Sequence, residues 1–146
     1  MNEKSHVGIF SLPVLVGALG YFVDIYDLLL FTLVGEKSLL DLGVTGDVIN
    51  SYKLSILNYQ MLGLMIGGII WGVLGDRIGR MKVLFGSILI YSIGNIANGF
   101  VDNVEQYNIL RFITGIGLAG ELGAGITLVS ELLAKEKRGI GTSLVA

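Results

Sequence analysis

The sequence has no cysteine among its 146 residues, one histidine (His6) and one proline (Pro13). Without cysteine there is no disulfide framework, no thiol chemistry and no thiolate metal site. A lone histidine in the N-terminal tail removes most zinc sites and the usual imidazole general base. With no proline after Pro13, no ring interrupts a long helix. Charge is also scarce, at 15% of residues, against about 25% in soluble domains. That is too little to cover a water-facing surface. A net charge of −2 gives no reason to expect a nucleic-acid partner.

What the chain has in quantity is apolar residues (53%, mean hydropathy +0.75) and 22 glycines. The apolar residues fall in runs of about 20, which as helix cover about 30 Å, one bilayer core. The expected fold is all-α and integral to a membrane. Its spans are predicted at about 9–34, 54–75, 83–101 and 107–134, with an incomplete fifth from 139 to 146, where the chain looks cut inside a span. Residues 35–50 read as a polar outer loop, 102–106 as a short acidic turn, and 135–138 as a basic link. A cleaved signal peptide is not expected, because the first apolar run is too long and carries Asp24 and Asp27. Gly63/Gly67 and Gly68/Gly72 are small-xxx-small pairs, suited to close helix packing or to a sliding face.

Lysine and arginine placement sets an expected orientation. Lys4, Arg77, Arg80, Lys82, Lys135, Lys137 and Arg138 lie on one side, against Lys37 and Lys53 on the other. The positive-inside rule puts the larger set, and the N-terminus, in the cytoplasm. Arg111 is left inside span four.

Four ionisable residues are predicted inside the membrane, where each costs several kcal/mol unless paired or wetted. Asp24 and Asp27 are three residues apart, on neighbouring faces of one helix. Two close carboxylates compete for ionisation, so one can hold a proton near neutral pH. Arg111 lies about 6 Å and Asp27 about 10 Å from the outer ends of their spans. An Asp27–Arg111 pair would remove the cost of both charges, as a permanent bridge or as a proton-operated switch. Glu121 sits about 15 Å further in than Arg111, as a structural anchor or a participant in proton or substrate handling. No nucleophile–base set or metal-ligand cluster is visible, so neither an enzyme nor a cofactor or metal is expected.

The stretch Gly72-Val-Leu-Gly-Asp76-Arg77-Ile-Gly79-Arg80 resembles the G-x-L-x-D-R-x-G-R-[RK] loop of the major facilitator superfamily. Arg111-Phe-Ile-Thr-Gly115-Ile-Gly117 is similar to the R-x-x-x-G-x-G start of that family's fourth helix. Glu131 with Arg138-Gly139 is similar to the E-x6-R-G at its cytoplasmic end. Asp24-Ile-Tyr-Asp27, with Gly120-Glu121, looks like the corresponding stretches of metabolite–proton symporters, with Asp24, Ile25 and Ala119 as departures. Sugar porters share part of the same spelling. The resemblance implies the N-terminal part of a twelve-helix carrier in a bacterial inner (plasma) membrane, working by alternating access together with C-terminal helices not present here. The implied partners are lipid, a small organic solute and protons. Asp24, Asp27, Arg111 and Glu121 would couple proton to solute. Gly72, Asp76, Arg77, Gly79, Arg80, Glu131 and Arg138 would form a cytoplasmic gate. Organic acids or zwitterions compete with sugars as solute. A receptor or scaffold on the same fold is the non-transporting alternative, and an ion channel is a third class for which no repeated polar filter is visible.

Overall fold

In a computed structural model, residues 12–132 form four helices: α1 (Leu12–Asp41), α2 (Val48–Ile78), α3 (Arg80–Asn98) and α4 (Val104–Leu132). The N-terminal tail, the 135–138 link with Arg138, and the run from Gly139 lie outside the described residues. Each helix is long and apolar enough to cross a membrane. Their outward faces are apolar, as at Leu33 (79% exposed) and Ile69 (68%). In water that surface would be a severe liability, and in lipid it is the solvated face. The chain is an all-α integral membrane protein.

α4 is the most buried helix and packs against all three others. Glycine makes this possible. On α2, Gly63 and Gly67 lie directly against the α4 backbone at Phe112 and Ile116, while Gly115 of α4 meets the α2 backbone at Gln60 and Leu64. On the α3 side, Gly117 rests on Ser87 and Tyr91, and Gly94 receives Thr114. In lipid, such close backbone approach supplies the dispersion contact that the hydrophobic effect supplies in water. The two glycine pairs of α2 differ in use. Gly63/Gly67 are buried in the α4 contact, whereas nothing lies within 4 Å of a Cβ placed on Gly68 or Gly72.

Two connections depart from the sequence reading. Residues 35–50 are not a loop: α1 continues to Asp41 and α2 begins at Val48, leaving only 42–47 between them. Burial explains the extra turns. Leu39 is fully buried with Phe31, Ile56 and Tyr107, and Leu42 and Ile49 pack on that cluster. The 76–82 turn is shorter than expected. α2 runs through Ile78 and α3 starts at Arg80, so the break is Gly79 alone. Its φ of 95° and ψ of 148° lie in territory essentially reserved for glycine. Gly79 N–H still donates to the Gly75 carbonyl (3.1 Å). At the other end, α4 is started by Asn103, whose Oδ1 accepts from the Gln106 N–H (2.9 Å), while the Gln106 side chain accepts from the Asp102 N–H (3.1 Å).

The glycine contacts give a paired test. A Cβ on Gly67 would sit 2.7 Å from the Ile116 Cα and carbonyl oxygen. Gly67→Ala is expected to destabilise the bundle by about 1–3 kcal/mol. Gly68→Ala is expected to change it by no more than about 0.5 kcal/mol. Denaturant unfolding in mixed micelles, followed by circular dichroism, reads both.

Candidate functional site

The interior between α1 and α4 carries the charge. Arg111, 6% exposed, donates from Nη1 to Asp27 Oδ2 at 2.8 Å, across 84 residues of sequence. Two aromatic rings complete the guanidinium's surroundings. Its Cζ lies 4.6 Å from the Phe31 ring centroid and 5.6 Å from that of Tyr107. The two rings meet edge to face at 5.9 Å. Phe31 lies one turn after Asp27 and Tyr107 one turn before Arg111, so each charge shares a helix face with one ring. The rings attract the cation through their π faces. The sequence reading passed over both aromatics. Their i, i+4 spacing from a charged residue was the available signal.

Asp24 does not join this pair. It is 3% exposed, and neither carboxylate oxygen has a hydrogen-bond partner in the protein. Glu121, 7% exposed, reaches from α4 to α1, and its carboxyl occupies the space that a Cβ on Gly20 would fill. Gly20 and Asp24 are one turn apart. The structure therefore separates the four intramembrane ionisable residues into an ion pair, Asp27 with Arg111, and two acids outside it, Asp24 and Glu121.

Two cavities open onto these groups between α1 and α3. One, of about 380 Å³, is lined by Asp27, Arg111, Tyr91, Asn95 and Asn98 among others. The second, of about 310 Å³, is lined by Gly20, Glu121, Tyr91 and Ser92. Tyr91 borders both, and its hydroxyl, although buried, has no partner. Asn98 donates to the Thr114 hydroxyl (3.4 Å), which donates in turn to the Leu110 carbonyl (2.8 Å). Asn98 Oδ1, Arg111 Nε and both polar atoms of Gln60 are buried without partners.

The other predicted cluster lies at the Gly79 end. Arg80 Nη2 donates to Asp76 at 2.7 Å, and Arg80 Nε lies 3.8 Å from Glu131. Asp76 and Glu131 are 70% and 57% exposed. Arg77 is exposed and makes no ion pair among the described residues. Gly72 and Gly68 line, with Arg80 and Trp71, a cavity of about 200 Å³ against α4. Trp71 is anchored there by donating from Nε1 to the Ile116 carbonyl (2.7 Å).

Membrane-length helices packed through glycine around buried charge define a polytopic α-helical membrane protein. Its family follows from comparison. Residues 7–146 match the model of the Major Facilitator Superfamily, and the chain belongs to that family. A Bacillus subtilis protein provisionally named a niacin/nicotinamide transporter is 46% identical over 78 residues, 53% of this chain and 20% of its own length. A niacin transporter of Acinetobacter baylyi is 38% identical over 84 residues, covering 58% of this chain and 19% of that protein. A 4-hydroxybenzoate transporter of Pseudomonas putida is 36% identical over 76 residues, 52% of this chain and 17% of that protein. The chain thus spans about a fifth of the length of these relatives. No solved structure matches it.

The two ion-pair sites differ in energetic weight. Removing one partner of a buried pair strands the other, at about 3–5 kcal/mol. Asp27→Asn and Arg111→Gln should each destabilise the bundle strongly, and the double variant by less than their sum. A double-mutant cycle on unfolding is expected to give a coupling of about 2 kcal/mol. The exposed Asp76–Arg80 pair, broken by Asp76→Asn, is expected to be worth less than about 1 kcal/mol.

Proposed function

We infer that these helices belong to a secondary active transporter that couples inward proton movement to symport of a small organic acid. The observation that supports this reading best is the buried Asp27–Arg111 pair. Arg111 is the one charged donor on α4 between Glu105 and Glu131, and Asp27 occupies it. Protonation of Asp27 removes the counter-charge and frees the guanidinium, still held between Phe31 and Tyr107, to take a solute carboxylate. Planar, bidentate recognition of a carboxylate is what arginine does better than lysine. Phe31 and Tyr107 add apolar faces on which an aromatic acid can rest. Niacin and 4-hydroxybenzoate, two of the solutes in the relatives' names beside the uncharged nicotinamide, are small aromatic carboxylates, and this favours an organic acid over a sugar.

In this reading the solute and the proton enter the same charge balance. The anion replaces Asp27 as the partner of Arg111, and the proton neutralises Asp27. The loaded interior is then as neutral as the empty one, which alternating access across a lipid interior requires. Asp76, Arg77, Arg80 and Glu131, with Arg138, would hold the cytoplasmic side closed in one state. The placement of lysine and arginine supports a cytoplasmic N-terminus, in the inner membrane of a bacterium.

Uptake of labelled nicotinate and 4-hydroxybenzoate into proteoliposomes holding the complete carrier tests the proposal. Accumulation should require an inwardly directed proton gradient and collapse with a protonophore. Asp27→Asn should lose accumulation by more than about tenfold, about 1.4 kcal/mol of solute gradient, while retaining solute exchange. Arg111→Lys should raise the solute concentration needed for half-maximal exchange. Wild-type uptake indifferent to both gradient and protonophore would overturn proton coupling.

A further inference from the structure

We propose that Asn98 of α3 is a specificity-determining residue: its side-chain oxygen selects aromatic acids that carry a hydrogen-bond donor, a ring hydroxyl, away from the carboxylate. The proposal deepens the organic-acid reading above and rests on it.

The seat is built by a glycine. Thr114 of α4 is fully buried, and its hydroxyl lies in the space that a Cβ on Gly94 of α3 would take. α3 therefore lies close enough for Asn98, one turn after Gly94, to reach the same threonine. Thr114 is in turn three residues from Arg111, on the same side of α4. Asn98 and Arg111 border one cavity of about 380 Å³, to which α1 contributes Val23 and Leu30 as apolar lining. That is room for a single aromatic ring with its substituents.

Hydrogen bonds decide which way the amide points. Thr114 has one hydroxyl hydrogen, and it goes to the Leu110 carbonyl at 2.8 Å. Toward Asn98 the threonine oxygen can only accept, so it takes the Nδ2 hydrogen at 3.4 Å. That network assigns nitrogen and oxygen within the amide. Asn98 Oδ1 is left buried and without a donor among the described residues. Arg111 has the opposite want. With Nη1 on Asp27, its buried Nε–H has no acceptor among the described residues. The two residues thus bring an unmet acceptor and an unmet donor to one cavity. A buried polar atom without a partner is costly, and a solute that satisfies both removes both costs. An aromatic acid with a ring hydroxyl has the matching pair: its carboxylate accepts at Arg111, and its hydroxyl donates to Asn98 Oδ1. Benzoate supplies only the first contact. Nicotinate brings its ring nitrogen, a second acceptor, to an oxygen that needs a donor. Tyr91 and Asn95 also line the cavity, but each can both donate and accept, so neither discriminates.

Isothermal titration calorimetry on the complete carrier in lipid nanodiscs tests this. The titrants are 3- and 4-hydroxybenzoate, benzoate, 4-methoxybenzoate and nicotinate. The wild type should bind at least one hydroxybenzoate about tenfold or more tighter than benzoate. 4-Methoxybenzoate, which keeps the oxygen and loses the donor, should bind no better than benzoate. In Asn98→Leu the advantage of the hydroxybenzoate over benzoate should shrink to about threefold or less, with benzoate affinity little changed. Thr114→Val releases the amide to turn its nitrogen to the solute, so nicotinate should gain on the hydroxybenzoate while both still bind. Tyr91→Phe should leave the hydroxybenzoate-to-benzoate ratio in place. Circular dichroism checks that each variant is folded. If Asn98→Leu does not fold, the wild-type series and Thr114→Val decide. Equal loss of every acid in Asn98→Leu would mark a merely structural asparagine and overturn the proposal. If benzoate, nicotinate and the hydroxybenzoates bind the wild type alike, the organic-acid reading stands and the role of Asn98 falls. If no aromatic acid binds, both fall.

Discussion

A guanidinium inside a bilayer must find its counter-charge within the protein, and that requirement fixes how α1 sits on α4. Neither lipid nor neighbouring helices can hydrate Arg111, so Asp27 has to come to it. Once the two meet, the turns on either side are brought together as well. Phe31 and Tyr107 close around the cation, Leu39 and Ile56 close beyond them, and α1 gains a packed surface well past its expected end. The glycines of α4 do the complementary task on its other faces. They bring α2 and α3 to backbone contact, so that the helix carrying Arg111 has no freedom to retreat from Asp27.

The four spans, the tight turn between the second and third, and the family were legible in the sequence because each depends on local pattern: run length and the spelling around Asp76 and Arg111. The depth match of Asp27 with Arg111 was legible for a similar reason, since rise per residue converts position into depth. What was not legible depends on contact. Gly63/Gly67 and Gly68/Gly72 have the same spacing, and only the rotation of α2 relative to α4 decides which pair is buried. Leu39 reads as a surface leucine in a polar stretch until Ile56 and Tyr107 are placed beside it. The proximity of Glu121 to Asp24 required knowing that α1 offers Gly20 at that depth. Tyr91 and Gln60 gave no signal, because an unsatisfied polar atom is a property of its surroundings and not of its spelling.

The two charge clusters show how environment sets what an ion pair does. Arg80, Asp76 and Glu131 meet where water competes for them, so their bonds can be made and broken at little cost. Arg111 and Asp27 are buried beside aromatic rings, so their bond is costly to break while both are charged. The same two residue types thus form an exposed, weak pair at one end of the bundle and a buried one within it.

The one-residue turn at Gly79 also has a bearing on how α3 is aligned. With no slack between α2 and α3, the length of the turn acts as a ruler for the rotational phase of α3. One added residue would turn α3 by about 100°, carrying Ser87, Tyr91 and Gly94 off the face they present to α4. The exposed hairpin tip, which in most proteins would be the natural place for a tag or an insertion, is here the segment least able to accept one. The 42–47 connection is longer, and a Cβ placed on its Gly43 or Gly46 would meet nothing within 4 Å.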